Sequence, residues 1–404
     1  MDLLLFCGCT AKLFSGGCSA ATPDESTRRS AVERSLVLRI LFAGGNGWLP
    51  ETTGGTQNST DHLIRQAASA GHDCAVLCGL VGRGAFGLRM RAQRKVLGRP
   101  FSIDRGLGYE VLRTWTPFAP ETIGAAVARF RPDVAVVQTA GSARLAAALR
   151  ALGVPVVVYL RNVEFDENGG DVSAIPGARY IANSEFTAAA YGRHYGLRCT
   201  VIPPTIDADA YRSDGPRDCA TLINIHPVKG YAIARDMARA CPDIPFLFVQ
   251  GWALDEEALR RAHAEIEALP NATFLPRTRD MRQVYGRTRV LLAPSQWEEA
   301  WGRVASEAHC SGIPVIGSDR GGLPQAIGPG GLILPHDAPV PDWVAALRSV
   351  WSNQSVHAAL SAAALDYAKR PDLDAARQFE TFMEVLRDAV GAADAPTRWE
   401  IAHA

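Results

Sequence analysis

Short apolar runs alternate with helix-like stretches along almost the whole of this 404-residue chain. In the first half, runs such as Arg39–Ala43 and Val154–Leu160 are separated by amphipathic stretches such as Thr56–Ala70. This spacing is typical of parallel strands joined by helices, because a parallel pair needs a long crossover connection. The second half restarts at Leu222–Ile225 and shows the same alternation. The sequence therefore predicts an α/β protein with two Rossmann-like domains, whose parallel sheets face a cleft between them.

Two consecutive prolines, Pro203 and Pro204, interrupt the alternation between the halves. Neither a helix nor a central strand accommodates them, so we place the domain boundary there, between residues 37–204 and 205–374. An amphipathic helix over residues 375–392 is predicted to pack back on the first domain, followed by a tail over 393–404. Residues 1–36 are predicted to be a disordered extension, with a degenerate secretion signal as the alternative.

Composition and residue spacing give no support for a nucleic-acid-binding, membrane-spanning or zinc-binding protein. The 42 basic and 42 acidic residues balance, which gives no argument for nucleic-acid binding. No apolar run approaches the roughly 20 residues that a membrane-spanning helix needs. The nine cysteines are scattered without zinc-site spacing, so we interpret them as free thiols in a reducing cytoplasm.

The most informative segment runs from the apolar strand Val290–Ala293 through a loop into a helix that begins near Gly302. Glu299 lies in the loop and Glu307 lies more than one turn inside the helix, along the same wall of the cleft. Unpaired backbone N–H groups at a helix start suit a hydroxyl or a phosphate, and a glycine allows close approach. Two glutamates on a solvated surface helix are the plain alternative.

The continuation of this segment through Gly321-Gly322 to Pro324 resembles the signature of family-four retaining glycosyltransferases, which have the GT-B fold. By that resemblance Glu299 is a catalytic residue that contacts the hydroxyls of the donor sugar, and Glu307 holds the ribose of the nucleotide. The resemblance also implies donor contacts from the loop, the helix start and the glycine pair: Trp301, Gly302, Arg303, Val304, Gly321 and Gly322.

A second segment, Asn224 to Gly230, follows a strand and precedes a helix. Lys229 is placed to neutralise the diphosphate of a donor and is our second catalytic candidate. The family usually has an arginine at the position of Asn224, and an asparagine binds phosphate without balancing its charge. Arg277, Arg303 or a helix terminus are the candidates for the missing charge. A plain surface lysine is the alternative.

The first domain contributes the pair Gly54-Gly55, which matches the family's glycine loop facing the diphosphate, although a flexible turn is the simpler explanation. Many relatives also have a histidine after the strand that corresponds to Val154–Leu160, or near Gln138-Thr139, where it touches the donor sugar. Here Arg161, Asn162 and Glu164 are the candidates to replace it, and loss of that contact is the alternative.

The segment Arg83 to Arg105 carries seven basic residues against one acid, with apolar residues interleaved. Such a pattern fits contact with an anionic membrane surface or with a lipid-phosphate acceptor. A solvated basic helix or loop explains it equally simply.

Together these features predict a retaining, metal-independent glycosyltransferase that acts in polysaccharide, glycolipid or cell-envelope glycan synthesis. Its co-substrate is a nucleotide-diphosphate sugar, it needs no cofactor, and its acceptor is a glycan or a lipid-linked molecule. We expect it in the cytoplasm, at the inner face of the membrane where the basic segment makes contact. The rival hypotheses are a GT-B protein that binds a nucleotide sugar without turnover, and a glycosidase with two carboxylates.

Overall fold

The computed structural model describes residues 37–252 and 254–394. The predicted disordered extension and most of the predicted tail lie outside these residues. The described part forms two α/β domains, each built on its own sheet. In this part of the chain no helix combines the length and the apolar character that a bilayer crossing requires.

The first sheet has eight strands in the order β3-β4-β2-β1-β5-β6-β7-β8. All neighbours are parallel except β3 and β4, which pair antiparallel at one edge. The sequence pattern predicted neither β3 nor β4, and their antiparallel pairing makes the sheet mixed rather than parallel throughout. The strands are β1 (Arg39–Gly47), β2 (Asp73–Gly79), β3 (Ser102–Asp104), β4 (Glu110–Thr114), β5 (Val134–Gln138), β6 (Val156–Leu160), β7 (Arg179–Ala182) and β8 (Thr200–Val201).

The central strands of this sheet carry apolar side chains on both faces, and helices therefore cover both faces. In β1, Leu41 and Ala43 belong to one buried cluster, whereas Ile40 and Phe42 belong to the opposite one. The helices are α1 (Gly55–Ser69), α2 (Gly84–Leu97), α3 (Pro120–Phe130), α4 (Ser142–Ala151) and α5 (Glu185–Tyr195), with 3-10 turns at Phe165–Asn168 and Val172–Ala174.

The second sheet has six parallel strands in the order β11-β10-β9-β12-β13-β14. Its strands are β9 (Cys219–Ile223), β10 (Phe246–Val249), β11 (Ala272–Leu275), β12 (Thr288–Ala293), β13 (Val315–Ser318) and β14 (Gly331–Leu334). Its helices are α6 (Ala208–Tyr211), α7 (Tyr231–Ala240), α8 (Glu256–Glu267), α9 (Arg282–Arg287), α10 (Arg303–His309), α11 (Leu323–Ile327), α12 (Val340–Ser352) and α13 (Gln354–Tyr367), with 3-10 turns at Pro227–Lys229, Gly328–Gly330 and Pro371–Leu373.

The last helix, α14 (Ala375–Asp394), packs against the first sheet. Phe382 stacks on Phe42 of β1 with ring centroids 6.1 Å apart, and the backbone carbonyl of Ala375 accepts a hydrogen bond from Gln66 of α1. The chain therefore returns to the first domain after completing the second.

The basic segment Arg83 to Arg105 is not one surface element. Its first part forms α2, whereas Asp104 ends the edge strand β3 and its carboxylate contacts the buried Arg113 at 2.9 Å. Arg105 pairs with Glu110 at 2.6 Å. A basic face is thus confined to α2.

Strand order decides where ligands fit. The order reverses at β1 in the first sheet and at β9 in the second, since each of these strands has neighbours that leave in opposite directions. Beyond the carboxyl end of such a strand the connecting loops diverge and leave a crevice. The loop from Trp48 to Gly54 follows the end of β1, and Asn224 to Lys229 follow the end of β9.

Candidate functional site

Lys229 and Glu299 form an ion pair at the carboxyl end of the second sheet. The Lys229 Nζ donates to Glu299 Oε1 at 2.6 Å, and Ser295 Oγ donates to the same oxygen at 2.9 Å. The two side chains are only 14% and 17% exposed, so the pair is largely shielded from water. Trp252 covers the ammonium at 4.4 Å from its ring centroid. Glu299 is thereby oriented, and its Oε2 receives no hydrogen bond from any described residue.

Backbone contacts hold the two loops that carry this pair together. The carbonyl of Val228 accepts hydrogen bonds from the amides of Gln296 and Trp297 at 2.8 and 3.1 Å. A β-carbon at Gly230 would lie 2.0 Å from the carbonyl oxygen of Pro294. The chain therefore needs a glycine directly after Lys229 for the loops to approach each other.

The predicted glycine pair lies on the other side of Glu299. The amide of Gly322 donates to the carbonyl of Glu299 at 2.6 Å, and Gly321 adopts φ +62°. A β-carbon at Gly321 would lie 2.2 Å from that same carbonyl oxygen. Gly302, at φ +100°, makes the left-handed turn that starts α10. These glycines fix the backbone around Glu299.

Glu307 points into a buried polar network. Tyr285, which is completely buried, donates to Glu307 Oε2 at 2.8 Å, and the Nε of Arg303 donates to Oε1 at 3.2 Å. Burial and the neighbouring Glu307 carboxylate raise the pKa of Tyr285 well above its usual value. The phenol is therefore a fixed donor, and the carboxylate keeps lone pairs for hydroxyl groups of a ligand.

Arg303 joins the two domains. Its Nη1 donates to Ser59 Oγ on α1 at 2.7 Å and to the carbonyl of Thr205 at 3.0 Å. A β-carbon at Gly55 would lie 2.7 Å from the Arg303 side chain, so the glycine loop leaves room for this contact. Burial acts to lower the pKa of Arg303, but Glu307 and Tyr211 outweigh it and raise the value.

Asn224 follows β9 and Arg277 follows β11, and the two side chains make different contacts. Asn224 adopts φ +80°, and its side-chain carbonyl accepts a hydrogen bond from the amide of Trp252 at 3.1 Å. This bond orders the loop that covers Lys229. Arg277 reaches Thr53, directly before Gly54, and contacts both its carbonyl and its hydroxyl. Arg277 thus brings positive charge to the glycine loop.

Two predicted donor residues have restricted roles. The Trp301 indole is 2% exposed and donates to Ser306 Oγ at 3.0 Å, so its ring belongs to the core and only its backbone faces the loop. Val304, in the first turn of α10, packs against a buried cluster of the second domain. Neither side chain is available for a polar contact with a donor.

Arg161 lies at the carboxyl end of β6, where relatives were expected to have a histidine. It is 8% exposed, and it donates to Gln138 Oε1 at 2.9 Å and to Thr60 Oγ1 at 3.1 Å. Asn162 instead bonds Glu167 at 2.7 Å. Of the three candidates for this position, Arg161 is the one bonded to residues on both flanking elements, α1 and β5.

A separate cavity of about 560 Å³ opens beyond the carboxyl ends of β1, β2 and β4. Trp115 and Phe118 line it, and Trp115 is 51% exposed. Arg94 lies over the Trp115 ring at 4.9 Å from its centroid. An aromatic wall beside a cation suits the apolar face of a sugar ring carrying polar groups.

Sequence reasoning missed the partners of the predicted residues. Tyr285, Ser295 and Trp252 each contact a candidate residue, yet none follows a recognisable motif. A tyrosine 22 positions before Glu307 carries no local signal, because only the packing of α9 beside α10 brings the two together.

Comparison with known proteins places both domains. Residues 53–210 match the model of Glycosyltransferase Family 4, and residues 231–353 match the model of Glycosyl transferases group 1. The chain is 28% identical over 193 residues to D-inositol 3-phosphate glycosyltransferase of Mycolicibacterium smegmatis, covering 42% of this chain and 43% of the relative. It is 31% identical over 222 residues to the enzyme of that name from Rhodococcus opacus, covering 47% and 49%. The chain thus spans less than half the length of these curated relatives.

Solved structures extend the likeness over the whole fold. Anabaena HepE in complex with UDP and glucose superposes with a TM-score of 0.69 at 19% identity, covering 87% of this chain and 99% of that one. WaaG, a glycosyltransferase involved in lipopolysaccharide biosynthesis, superposes with a TM-score of 0.62 at 16% identity, covering 86% and 99%. The predicted GT-B fold is confirmed.

Proposed function

We propose that this GT-B protein is a glycosyltransferase that binds a nucleotide-diphosphate sugar in its second domain and transfers the sugar, with retention and without a metal ion, to an acceptor hydroxyl. It uses the nucleotide sugar as co-substrate and needs no further cofactor. The observation that carries this proposal is the shielded Lys229–Glu299 pair, which lies at the strand ends where the second sheet reverses its order, with Glu307 in the helix that follows. The matches of both halves to glycosyltransferase models support it.

The two charged residues of the pair bind different parts of the donor: Glu299 binds the sugar and Lys229 binds the diphosphate. Glu299 Oε2 has free lone pairs for sugar hydroxyls, while Oε1 is occupied by Lys229 and Ser295. The Lys229 ammonium has three N–H groups and uses one on Glu299, which leaves donors for a diphosphate. Since negative charge grows on the diphosphate as the glycosidic bond breaks, a fixed ammonium there stabilises the transition state more than the ground state.

Arg277 is our candidate for the charge that Asn224 does not supply. It lies against Thr53, next to Gly54 and Gly55, on the first-domain side of the cleft. In this proposal the glycine amides and Arg277 face the diphosphate from one side and Lys229 faces it from the other. Arg303 is a positioning residue, because its donors are used on Glu307 and on Ser59.

Binding without turnover is the rival function, and the placement of Asn224 favours it. The Asn224 side-chain oxygen is engaged by the Trp252 amide, so this position contributes no cation to a departing diphosphate. The two functions differ in one measurable quantity, namely consumption of the donor.

The test combines binding with turnover. UDP and GDP are titrated calorimetrically, and release of the nucleoside diphosphate from UDP-hexoses and GDP-hexoses is then followed with and without glycan acceptors. We expect one nucleoside diphosphate to bind and its sugar to be consumed. Binding without consumption would favour the rival, and binding of neither nucleotide would refute both.

The acceptor is proposed to enter from the first domain, at the cavity beside Trp115. A glycan or lipid-linked acceptor in envelope, glycolipid or polysaccharide synthesis fits this placement. On α2, Leu88 is 58% and Val96 is 82% exposed among basic residues, which makes this helix our candidate for contact with an anionic membrane face in the cytoplasm.

A further inference from the structure

Arg161 carries a charge that nothing in the described chain neutralises. It forms no ion pair within residues 37–252 and 254–394. The Tyr159 phenol beside it is neutral, because burial raises its pKa, and the charged group that acts on Arg161 is a second cation, Arg303. Burial, reinforced by Arg303, lowers the pKa of the guanidinium, although an arginine stays protonated at neutral pH. A buried charge without a counterion is costly, so such a group is typically completed by a ligand.

Hydrogen bonds from Nε and Nη2 hold the guanidinium along one edge, and its other edge has no described partner. Its Nε donates to Gln138 and its Nη2 donates to Thr60, while its plane lies 3.7 Å from the Tyr159 ring centroid. Nη1 donates to no described residue and keeps some accessible surface, although the residue is only 8% exposed. The edge formed by Nη1 and Nη2 therefore offers two parallel N–H groups, which match the two oxygens of a carboxylate or phosphate.

Arg161 lies near the contact between the domains, because Thr60, which accepts its hydrogen bond, is adjacent to Ser59, which accepts one from Arg303. The backbone carbonyl of Arg161 accepts a hydrogen bond from Asn183 at 3.3 Å, and Asn183 precedes the start of α5. In that helix Thr187 Oγ1 lies 3.5 Å from the carbonyl of Ala300, the residue after Glu299. The end of β6 that carries Arg161 is therefore connected, through the start of α5, to the loop that carries Glu299.

We propose that Arg161 binds an acidic group, a carboxylate or a phosphate ester, on the sugar held in this cleft. The substrate then carries a second acidic group besides the diphosphate of the donor. This inference rests on the proposed function, since it assumes that a sugar occupies the cleft beside Glu299. It differs from the diphosphate role of Lys229 and Arg277, and it names the chemical class that the cleft selects.

The experiment measures discrimination between neutral and acidic sugars directly. Glucose, glucuronate and glucose 6-phosphate are titrated into the full chain, alone and in the presence of saturating UDP or GDP, with ligand-observed NMR as readout. We expect at least one acidic sugar to bind roughly tenfold or more tightly than glucose, as a charge-assisted bidentate contact implies. Preference for glucuronate identifies a sugar acid, and preference for glucose 6-phosphate identifies a sugar phosphate.

In Arg161→Gln this preference is expected to fall to within about twofold of glucose, while Arg161→Lys keeps part of it because the charge remains. UDP or GDP affinity is expected to stay unchanged in both variants. Equal binding of the three sugars by the wild type, or binding of none, overturns the inference. So does a loss of nucleotide affinity in Arg161→Gln, which would assign the guanidinium to the diphosphate.

Arg113 provides a matched control for a merely structural role. It is completely buried and has two carboxylate partners, Asp104 at 2.9 Å and Glu51 at 3.7 Å. Arg113→Gln is expected to lower the melting temperature, because it leaves buried carboxylates unpaired, whereas Arg161→Gln removes an uncompensated charge and is expected to leave it unchanged or raise it. Equal destabilisation by both substitutions would make Arg161 structural and overturn the inference. Failure of UDP and GDP to bind tests the proposed function separately, because the sugars are also titrated alone.

Discussion

Removing the two charges of the Lys229–Glu299 pair one at a time is the most direct test of the proposed site. In Lys229→Ala the ammonium that lies 2.6 Å from Glu299 disappears, and the carboxylate keeps only Ser295 as a partner. A hydrogen bond to a charged group contributes about 1.5–3 kcal/mol, so nucleoside diphosphate affinity should fall roughly ten- to a hundredfold. Turnover should fall by roughly 10²–10³, the effect of removing one electrostatic stabiliser.

Glu299→Gln should have the opposite effect on nucleotide binding. Glutamine keeps the shape and can still accept from Ser295, but it no longer neutralises Lys229. The freed ammonium should hold UDP or GDP at least as tightly as in the wild type. Turnover should still fall roughly ten- to a hundredfold, since a sugar hydroxyl loses a charged acceptor.

Both variants are measured by calorimetry with UDP and GDP and by nucleotide release from the donor. Arg348→Ala is the matched control: its pair with Asp243, at 2.8 Å, is 41% and 60% exposed, so its loss should change stability little and leave nucleotide binding unchanged. If Glu299→Gln weakens nucleotide binding as much as Lys229→Ala does, the assigned roles are wrong.

Three further outcomes are expected. Glu307→Ala should weaken nucleoside diphosphate binding roughly ten- to a hundredfold. Tyr285→Phe should weaken it less, because one of the two donors to the Glu307 carboxylate remains. Calorimetry that finds no change in Glu307→Ala would remove this residue from the site. Chelator should leave donor consumption largely intact, and loss of activity that magnesium or manganese restores would contradict the metal-independent mechanism. Burial lowers the pKa of His309 to about 4, below its unfolded value of 6.5, so the unfolded chain binds the proton more readily. The free energy of unfolding should therefore fall by up to about 3 kcal/mol as pH drops from 6.5 to 4. His309→Asn should flatten that dependence in urea titrations across this pH range, and an unchanged slope would refute the assignment.

The sequence alone was sufficient for the elements that carry a local pattern. Short continuous apolar runs with helical stretches between them predicted the central strands of both sheets, because such runs are local features of the sequence. The loop that holds Glu299 and the glycine pair was also predictable, since left-handed turns at Gly302 and Gly321 favour glycine and leave a trace in the sequence. Strands β3 and β4 were both missed, and β3 has only three residues on which a pattern could be recognised.

Only the tertiary structure decided what these residues touch. Ser59 and Arg303 are 244 positions apart and bond across the domains, and no local pattern encodes a contact of that separation. The sequence suggested phosphate binding for Asn224, yet its left-handed backbone and its bond to Trp252 follow from the packing of two loops. The uncompensated charge of Arg161 likewise follows only from the fold, because an arginine after a strand is ordinary in a sequence. In the structure the guanidinium is buried away from water, and no carboxylate in the described chain pairs with it.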